Sequence, residues 1–223
     1  MNKILVATGY PYANGSKVEV IDLNNPSKTC ILSADFPYEL RDAVGGFTSS
    51  GPMVCSGRYG SSKSADCYSL GSNGQFVKIS ELTMDTPRSY ASSIVTEDGK
   101  LMISGGRGRL FLSYLADSEI INVPESKTED GFELPNEIHG HCSVLINATT
   151  VLVLGGYSGS GSYQRSTYFI NLENLQVTNG AEMQEARAFF GCAGAVFEHN
   201  QQNFVIAAGG YRPTGPTYST EFL

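Results

Sequence analysis

Arginine and tyrosine recur in loops that each follow an apolar run ending in glycine. Arginine forms paired hydrogen bonds with carboxylates, and tyrosine offers a rigid ring beside them. The loops therefore favour recognition of an acidic protein or peptide, although exposed turns with incidental aromatic residues are an open alternative. The candidate residues in these loops are Tyr10, Arg58, Tyr59, Arg107, Arg109, Tyr157, Arg165, Tyr211 and Arg212.

Arg41, Arg88 and Arg187 each precede a strand of small residues, and we expect them beside the same loops. With the five loop arginines they make up all the arginine of the chain. We therefore predict that these three contribute to the same binding face. The alternative is that their guanidinium groups donate only to nearby loop carbonyls.

His139 and His141 lie two residues apart on a predicted strand, a spacing that places both side chains on one face and suits metal ligands. The chain has only one other histidine, His199. We favour a structural role in which His139 takes the position of the strand-opening arginine. No local arrangement predicts a nucleophile with its base, so we expect no catalytic residue, metal or cofactor.

The net charge is -7, from 15 basic and 22 acidic residues without a basic cluster. Nucleic acids and anionic membrane surfaces require such clusters. No apolar stretch is as long as a membrane-spanning helix. We therefore expect neither nucleic-acid nor membrane partners.

The five cysteines lie far apart and form no CxxC pair, which argues against a zinc site and a dense disulfide framework. Cys55 and Cys67 fall on consecutive predicted strands of one hairpin and could face each other at bonding distance. We favour their interpretation as small apolar residues. The sequence leaves the compartment undecided, with the cytoplasm favoured over secretion.

The elements that position these residues repeat along the chain. Five apolar runs end at Gly9, Gly57, Gly106, Gly156 and Gly210, so the period is close to 50 residues. A second strand follows each glycine by about a dozen residues, and two weaker strands complete most units. Four short strands per period are typical of a propeller blade. The glycines expected to allow close backbone approach are Gly9, Gly57, Gly105, Gly106, Gly155, Gly156, Gly209 and Gly210.

This pattern resembles the kelch repeat over essentially the whole chain. The resemblance implies an all-β, kelch-type β-propeller in a single domain of residues 1–223. It departs from kelch at Thr8-Gly9 and Ser56-Gly57, where one glycine of the pair is absent, and in having no tryptophan. The blades implied are residues 1–40, 41–86, 87–137, 138–186 and 187–223.

Alignment of the repeats predicts about four and a half four-stranded blades in an incomplete ring. The first blade lacks its innermost strand and the last lacks its outermost strand. We interpret the chain as a fragment of a propeller, whose two uncovered apolar faces require missing blades or self-association.

Because propellers host unrelated activities, the fold alone does not specify a function. We predict a noncatalytic protein-interaction module or scaffold that binds a protein or acidic peptide through the loops after the glycines. An enzyme resembling galactose oxidase or acting on sugars, and a purely structural assembly domain, are the alternatives.

Overall fold

The computed structural model describes residues 3–7, 16–25, 31–32, 35–110, 113–197 and 202–223. Every regular element in these ranges is a β-strand and none is a helix, which confirms the all-β prediction. It follows that the described residues include no helix that could cross a membrane.

Five antiparallel sheets follow one another along the chain. Sheet I contains β1 (Lys3–Ala7), β2 (Val18–Asp22) and β3 (Ile31–Leu32) in that order. Sheet II contains β4 (Val44–Thr48), β5 (Gly51–Cys55), β8 (Asp66–Leu70) and β9 (Phe76–Thr83), with the ribbon of β6 (Arg58–Tyr59) and β7 (Ser62–Lys63) between β5 and β8. Sheet III contains β10 (Ser92–Val95), β11 (Leu101–Ser104), β12 (Asp117–Asn122) and β13 (Lys127–Glu133).

The last two sheets repeat this plan. In sheet IV, β14 (Ile138–His139) forms a ribbon with β17 (Tyr157–Ser158), and the sheet itself is β15 (Cys142–Asn147), β16 (Thr150–Leu154), β18 (Thr167–Asn171) and β19 (Val177–Asn179). Sheet V contains β20 (Gly191–Phe197), β21 (Gln202–Ala208) and β24 (Thr220–Phe222), beside the ribbon of β22 (Tyr211–Arg212) and β23 (Gly215–Pro216).

The sheets pack in series through their first strands. In sheets II to V these are β4, β10, β15 and β20, and β10 contacts both β4 and β15 while β15 also contacts β20. A separate apolar cluster fills each space between consecutive sheets. The second strands of sheets II, III and IV are therefore covered on both faces, which explains why they read as continuous apolar runs.

Glycine is required where the second strands of sheets II to V end. Gly106 and Gly156 have φ of +102° and +101°, and their N–H groups donate to the carbonyls of Ile138 and Arg187, both at 2.8 Å. These acceptors belong to the segment that opens the next sheet. A Cβ on Gly106 would lie 2.9 Å from the carbonyl oxygen of Ser89, so a side chain would disturb this approach.

Two disulfides link the described strands. Cys55–Cys67 joins β5 to β8 within sheet II, so the favoured interpretation of the two residues as small apolar residues is wrong, and they face each other as the alternative held. Cys142–Cys192 joins the first strands of sheets IV and V and was not predicted. One bond thus reinforces a sheet, and the other holds two neighbouring sheets together.

Candidate functional site

Four residues at equivalent positions lie just before the first strands of sheets II to V. Asp42, Tyr90, Gly140 and Phe189 have φ of 56°, 56°, 61° and 55°. The left-handed conformation costs a non-glycine residue about 1 to 2 kcal/mol. Backbone strain of this kind persists where the surrounding structure enforces it, and it clusters at functional sites. The repetition points to a shared structural constraint at this end of the sheets.

Backbone hydrogen bonds link these four positions into a chain that crosses from sheet to sheet. The N–H of Tyr90 donates to the carbonyl of Asp42 at 3.2 Å, and that of Gly140 donates to the carbonyl of Tyr90 at 2.8 Å. The N–H of Phe189 then donates to the carbonyl of Gly140 at 2.7 Å. We call these residues the junction chain. It holds the openings of sheets II to V in a fixed relation to one another.

Aromatic side chains gather around His139 at the junction chain. The ring of His139 lies 5.1 Å from that of Tyr114, 5.5 Å from those of Tyr157 and Phe189, and 6.1 Å from that of Tyr90. We call these five residues the aromatic cluster. Its members come from sheets III, IV and V, so the packing of the sheets creates it.

Gly140 gives the aromatic cluster its shape. A Cβ at this position would lie 2.7 Å from the ring of Phe189. Without one, the rings of Phe189 and Tyr90 meet edge to face at 5.5 Å. Phe189 remains 43% exposed, so the cluster has a face that a ligand can touch.

Both buried histidines are held neutral. Burial, and to a smaller extent the charge of Arg107, lowers the pKa of His139 to about 4. Burial, followed by the effects of His139 and Arg88, lowers the pKa of His141 to about 3. Nε2 of His141 lies 3.0 Å from Oγ of Ser104, while Nδ1 of each ring has no hydrogen-bond partner among the described residues.

These two pKa values predict a loss of stability in weak acid. Unfolded histidines titrate near pH 6.5, so between about pH 4 and 6.5 the unfolded chain binds more protons than the folded chain. The free energy of unfolding should be fully retained above this range and fall as the pH decreases through it, by up to about 1.4 kcal/mol per pH unit for each histidine. Urea unfolding between about pH 5 and 7, above the range of most carboxylates, measures the slope.

The matched variant for this measurement is His139→Phe, which keeps an aromatic ring and removes one titrating group. We expect it to reduce the slope by about half. An unchanged slope would show that His139 does not bind protons differently in the two states.

Three cations lie beside the aromatic cluster. The guanidinium of Arg107 lies 5.5 Å from the ring centroid of Tyr114, and that of Arg58 lies 4.9 Å from that of Tyr90. Arg58 also pairs with Asp42. Lys63 lies opposite Arg58 in the ribbon of β6 and β7, and burial, then the charges of Arg107 and Arg58, lowers its pKa. We call Arg58, Lys63 and Arg107 the basic cluster.

The basic cluster carries more positive charge than its surroundings neutralise. Within the described part of the chain, neither Lys63 nor Arg107 has a carboxylate within salt-bridge distance. Both side chains are partly exposed. An anionic group is therefore the ligand that this position can accommodate at the lowest electrostatic cost.

The other arginines and tyrosines that the sequence predicted for the binding face do not form one site with the basic cluster. Arg165 pairs with Glu182, and Arg212 pairs with Glu185. Arg41 donates to the carbonyl of Gly60 at 3.1 Å, and Arg109 is exposed. Tyr59 and Tyr211 are 58% and 50% exposed on their ribbons. Tyr10 and Gly9 lie outside the described residues.

The prediction that Arg88 and Arg187 face a partner is wrong, because both side chains are fully buried. Arg88 donates to the carbonyl of Gly105 at 3.0 Å and to the carboxylate of Glu119 at 2.5 Å. Arg187 makes the equivalent bonds to Gly209 and Glu221. These arginines close the loops at the ends of sheets III and V through loop carbonyls, as the alternative held, but each also binds a carboxylate, which the alternative did not include.

Sequence reasoning missed the acidic partners in these networks. Glu119 and Glu221 lie on the third strands of their sheets, in the repeated patterns SEII and TEFL. A glutamate recurring among apolar strand residues was the available signal, since such a residue is rarely buried without a partner. The sequence does not show which arginine it meets.

The histidine pair does not assemble into a metal site in the described ranges. No group of three or more histidine, cysteine, aspartate or glutamate side chains there is placed to hold a metal ion. His139 and His141 instead contact aromatic rings and Ser104.

Comparison with solved structures identifies the arrangement of the sheets. The protein described as "Structure of YjhT" matches with a TM-score of 0.81 over 94% of this chain and 69% of that chain, at 13% sequence identity. The fold is propeller-like. At this identity the similarity concerns the fold alone. No protein-family profile matches the sequence, and no curated protein matches it.

Proposed function

We propose that this propeller-like chain is a noncatalytic binding module that takes an acidic peptide segment at the basic and aromatic clusters. The observation that carries the proposal is the pair Lys63 and Arg107, whose charges no described carboxylate neutralises. A peptide carboxylate between them would satisfy both cations. Arginine would hold it through paired hydrogen bonds and lysine as a point charge.

The titration of Lys63 agrees with an anion in this position. Its pKa is lowered by burial and by two neighbouring arginines. An anion bound there would counter the repulsion from Arg107 and Arg58 and raise that pKa again. Binding of an acidic ligand is thus linked to relief of repulsion within the basic cluster.

The aromatic cluster supplies the apolar part of the contact. Tyr114 is partly exposed and Phe189 is exposed, and both rings contact the buried ring of His139. Because the pKa of His139 is about 4, this ring adds no positive charge near neutral pH. A peptide with an aromatic or aliphatic residue next to its carboxylates would contact both clusters, and a few such anchors would supply most of the binding energy.

We also propose that the five sheets are kelch-type blades of a single domain spanning residues 1–223. Support comes from the repeated glycines after the second strands and from the arginines that close the loops of sheets III and V. In sheet IV the position equivalent to Arg88 and Arg187, two residues before the junction chain, is occupied by Ile138. The expectation that His139 takes the arginine position is therefore wrong.

A binding assay with charge-matched peptides tests the proposed function. The probe is a fluorescent peptide of alternating glutamate and tyrosine, and its control replaces every glutamate with glutamine. We expect the acidic peptide to bind more tightly, with an affinity that falls as salt increases. Lys63→Gln and Arg107→Gln should each weaken binding by about tenfold or more, since hydrogen bonds to charged groups contribute about 1.5 to 3 kcal/mol.

Arg165→Gln is the matched control, because Arg165 is exposed and already paired with Glu182. It should leave the affinity of the acidic peptide unchanged within about twofold. Equal binding of the two peptides, or equal losses in all three variants, would contradict the proposal.

A further inference from the structure

Sheets III and V each have a glutamate on the third strand that binds the segment leading into the first strand. Glu119 accepts from the N–H groups of Asp85 and Thr86 at 2.7 and 3.1 Å and from the guanidinium of Arg88 at 2.5 Å. Each sheet therefore fixes the segment that leads into its first strand through one third-strand glutamate.

Glu221 repeats every part of this arrangement in sheet V. It accepts from the N–H groups of Gln184 and Glu185 at 2.5 and 3.0 Å and from Arg187 at 2.5 Å. In both sheets the donors are the arginine itself and the residues two and three positions before it. In both sheets, a glutamate at this position binds a turn and the arginine that follows it, and the first strand of the sheet begins four residues after that arginine.

Glu19 occupies the same position in sheet I. It lies opposite Val6 of β1, as Glu119 lies opposite Ile103 and Glu221 lies opposite Ala207. Among the described residues, however, no hydrogen bond or ion pair to Glu19 is present. Its carboxylate therefore faces the place where an arginine and its turn would lie.

Within the described residues, sheet I also lacks the first strand that adjoins the second strand in the other sheets. Strand β1 pairs only with β2 in the described part of the chain, whereas β11 and β16 are each paired on both edges. Ile4 and Val6 of β1 are 47% and 45% exposed, in contrast to the fully buried β11. The free edge of β1 thus combines unpaired backbone groups with uncovered apolar side chains.

A groove adjoins this edge on the side of sheet II. Its volume is about 430 Å³, and its walls are formed by Ile4 and Leu5 of β1 and by Val44, Gly46 and Met53 of β4 and β5. In sheets II to IV, the corresponding space beside the next sheet holds a first strand, which is β4, β10 or β15. The groove therefore has the lining that a β-strand of small and apolar residues requires.

We infer that the edge of β1 accepts a β-strand from a segment outside residues 1–223, and that an arginine four residues before this strand binds Glu19. The strand adds to the sheet through backbone hydrogen bonds, and the arginine sets its register. No strand of the described chain is spare for this role, since β4, β10, β15 and β20 are each paired in their own sheets. The complementary charge of Glu19 identifies the occupant as an arginine-led strand.

A peptide taken from the chain itself provides the probe. Residues 85–96 have the sequence DTPRSYASSIVT and contain the turn, the arginine and the first strand of sheet III. We expect the fluorescent peptide to bind the full chain. Glu19→Gln should weaken that binding by about tenfold or more, and replacing the peptide arginine with glutamine should do the same.

Combining the two changes should cause little further loss, because both remove the same ion pair. Glu97→Gln is the matched control, since Glu97 is exposed on the β10–β11 turn, and it should bind the peptide as the unaltered chain does. The absence of peptide binding, or binding that is indifferent to Glu19, would overturn the inference. Self-association that depends on Glu19 would also overturn it, because the occupant would then be a second copy.

Discussion

Replacement of Arg88 by methionine is expected to lower the free energy of unfolding by about 3 to 5 kcal/mol. The side chain of Arg88 is fully buried and binds Glu119, Asp117 and the carbonyl of Gly105. Methionine fills much of the volume but leaves the buried carboxylate of Glu119 without its counter-charge. Urea unfolding followed by circular dichroism at neutral pH measures the loss.

Two further variants separate charge from packing in this experiment. Adding Glu119→Gln to Arg88→Met should recover part of the loss, because the unpaired charge is then removed. Arg165→Met breaks an ion pair whose side chains are both more than half exposed, and it should cost less than about 1 kcal/mol. If Arg88→Met were as mild as Arg165→Met, the buried network would not stabilise the fold as described.

Removal of the Cys142–Cys192 disulfide is the second change for which we expect a large effect. The two residues are 50 positions apart. The loss of this crosslink should increase the entropy of the unfolded chain and lower the free energy of unfolding by about 4 kcal/mol. Cys142→Ser with Cys192→Ser, compared with the oxidised chain by urea unfolding, measures the effect.

Cys55–Cys67 provides the comparison, since it closes a separation of only 12 residues. Its removal should cost about 3 kcal/mol in the same entropic treatment. Thiol counting on unfolded, unreduced protein checks that both bonds form. One free thiol is expected from the five cysteines, and five free thiols would contradict both bonds.

The repeated strands could be predicted because each carries its own local signal. Runs such as VLVLGG combine continuous apolar residues with glycines that later show positive φ. These features depend on burial and backbone conformation at single positions. The order of strands within a sheet could likewise be inferred from repetition along the chain.

The contacts between repeats were harder to predict because they depend on packing. The glutamate partners of Arg88 and Arg187 lie 31 and 34 residues away, on other strands of the same sheets. The Cys142–Cys192 bond was missed although its separation equals the repeat period. Two cysteines at equivalent positions of adjacent repeats lie on neighbouring first strands, and this was the signal available.

The proposed binding site could be predicted only in part for the same reason. Arg58 and Arg107 were identified from their loops, but Lys63 and Tyr114 were not. These two residues become important because the sheets bring them next to the arginines and to His139. Residue type indicated an arginine-rich face, and the three-dimensional packing selected which arginines retain unneutralised charge.

The junction chain has a consequence for how the sheets could separate. The amide groups of Tyr90, Gly140 and Phe189 each donate across a boundary between consecutive sheets, whereas most strand amides donate within a sheet. Hydrogen exchange at these three positions therefore reports the parting of one boundary at a time, while exchange in the strands reports the opening of a sheet. The exchange rates of these three amide protons therefore distinguish sheets that separate one after another from sheets that separate all at once.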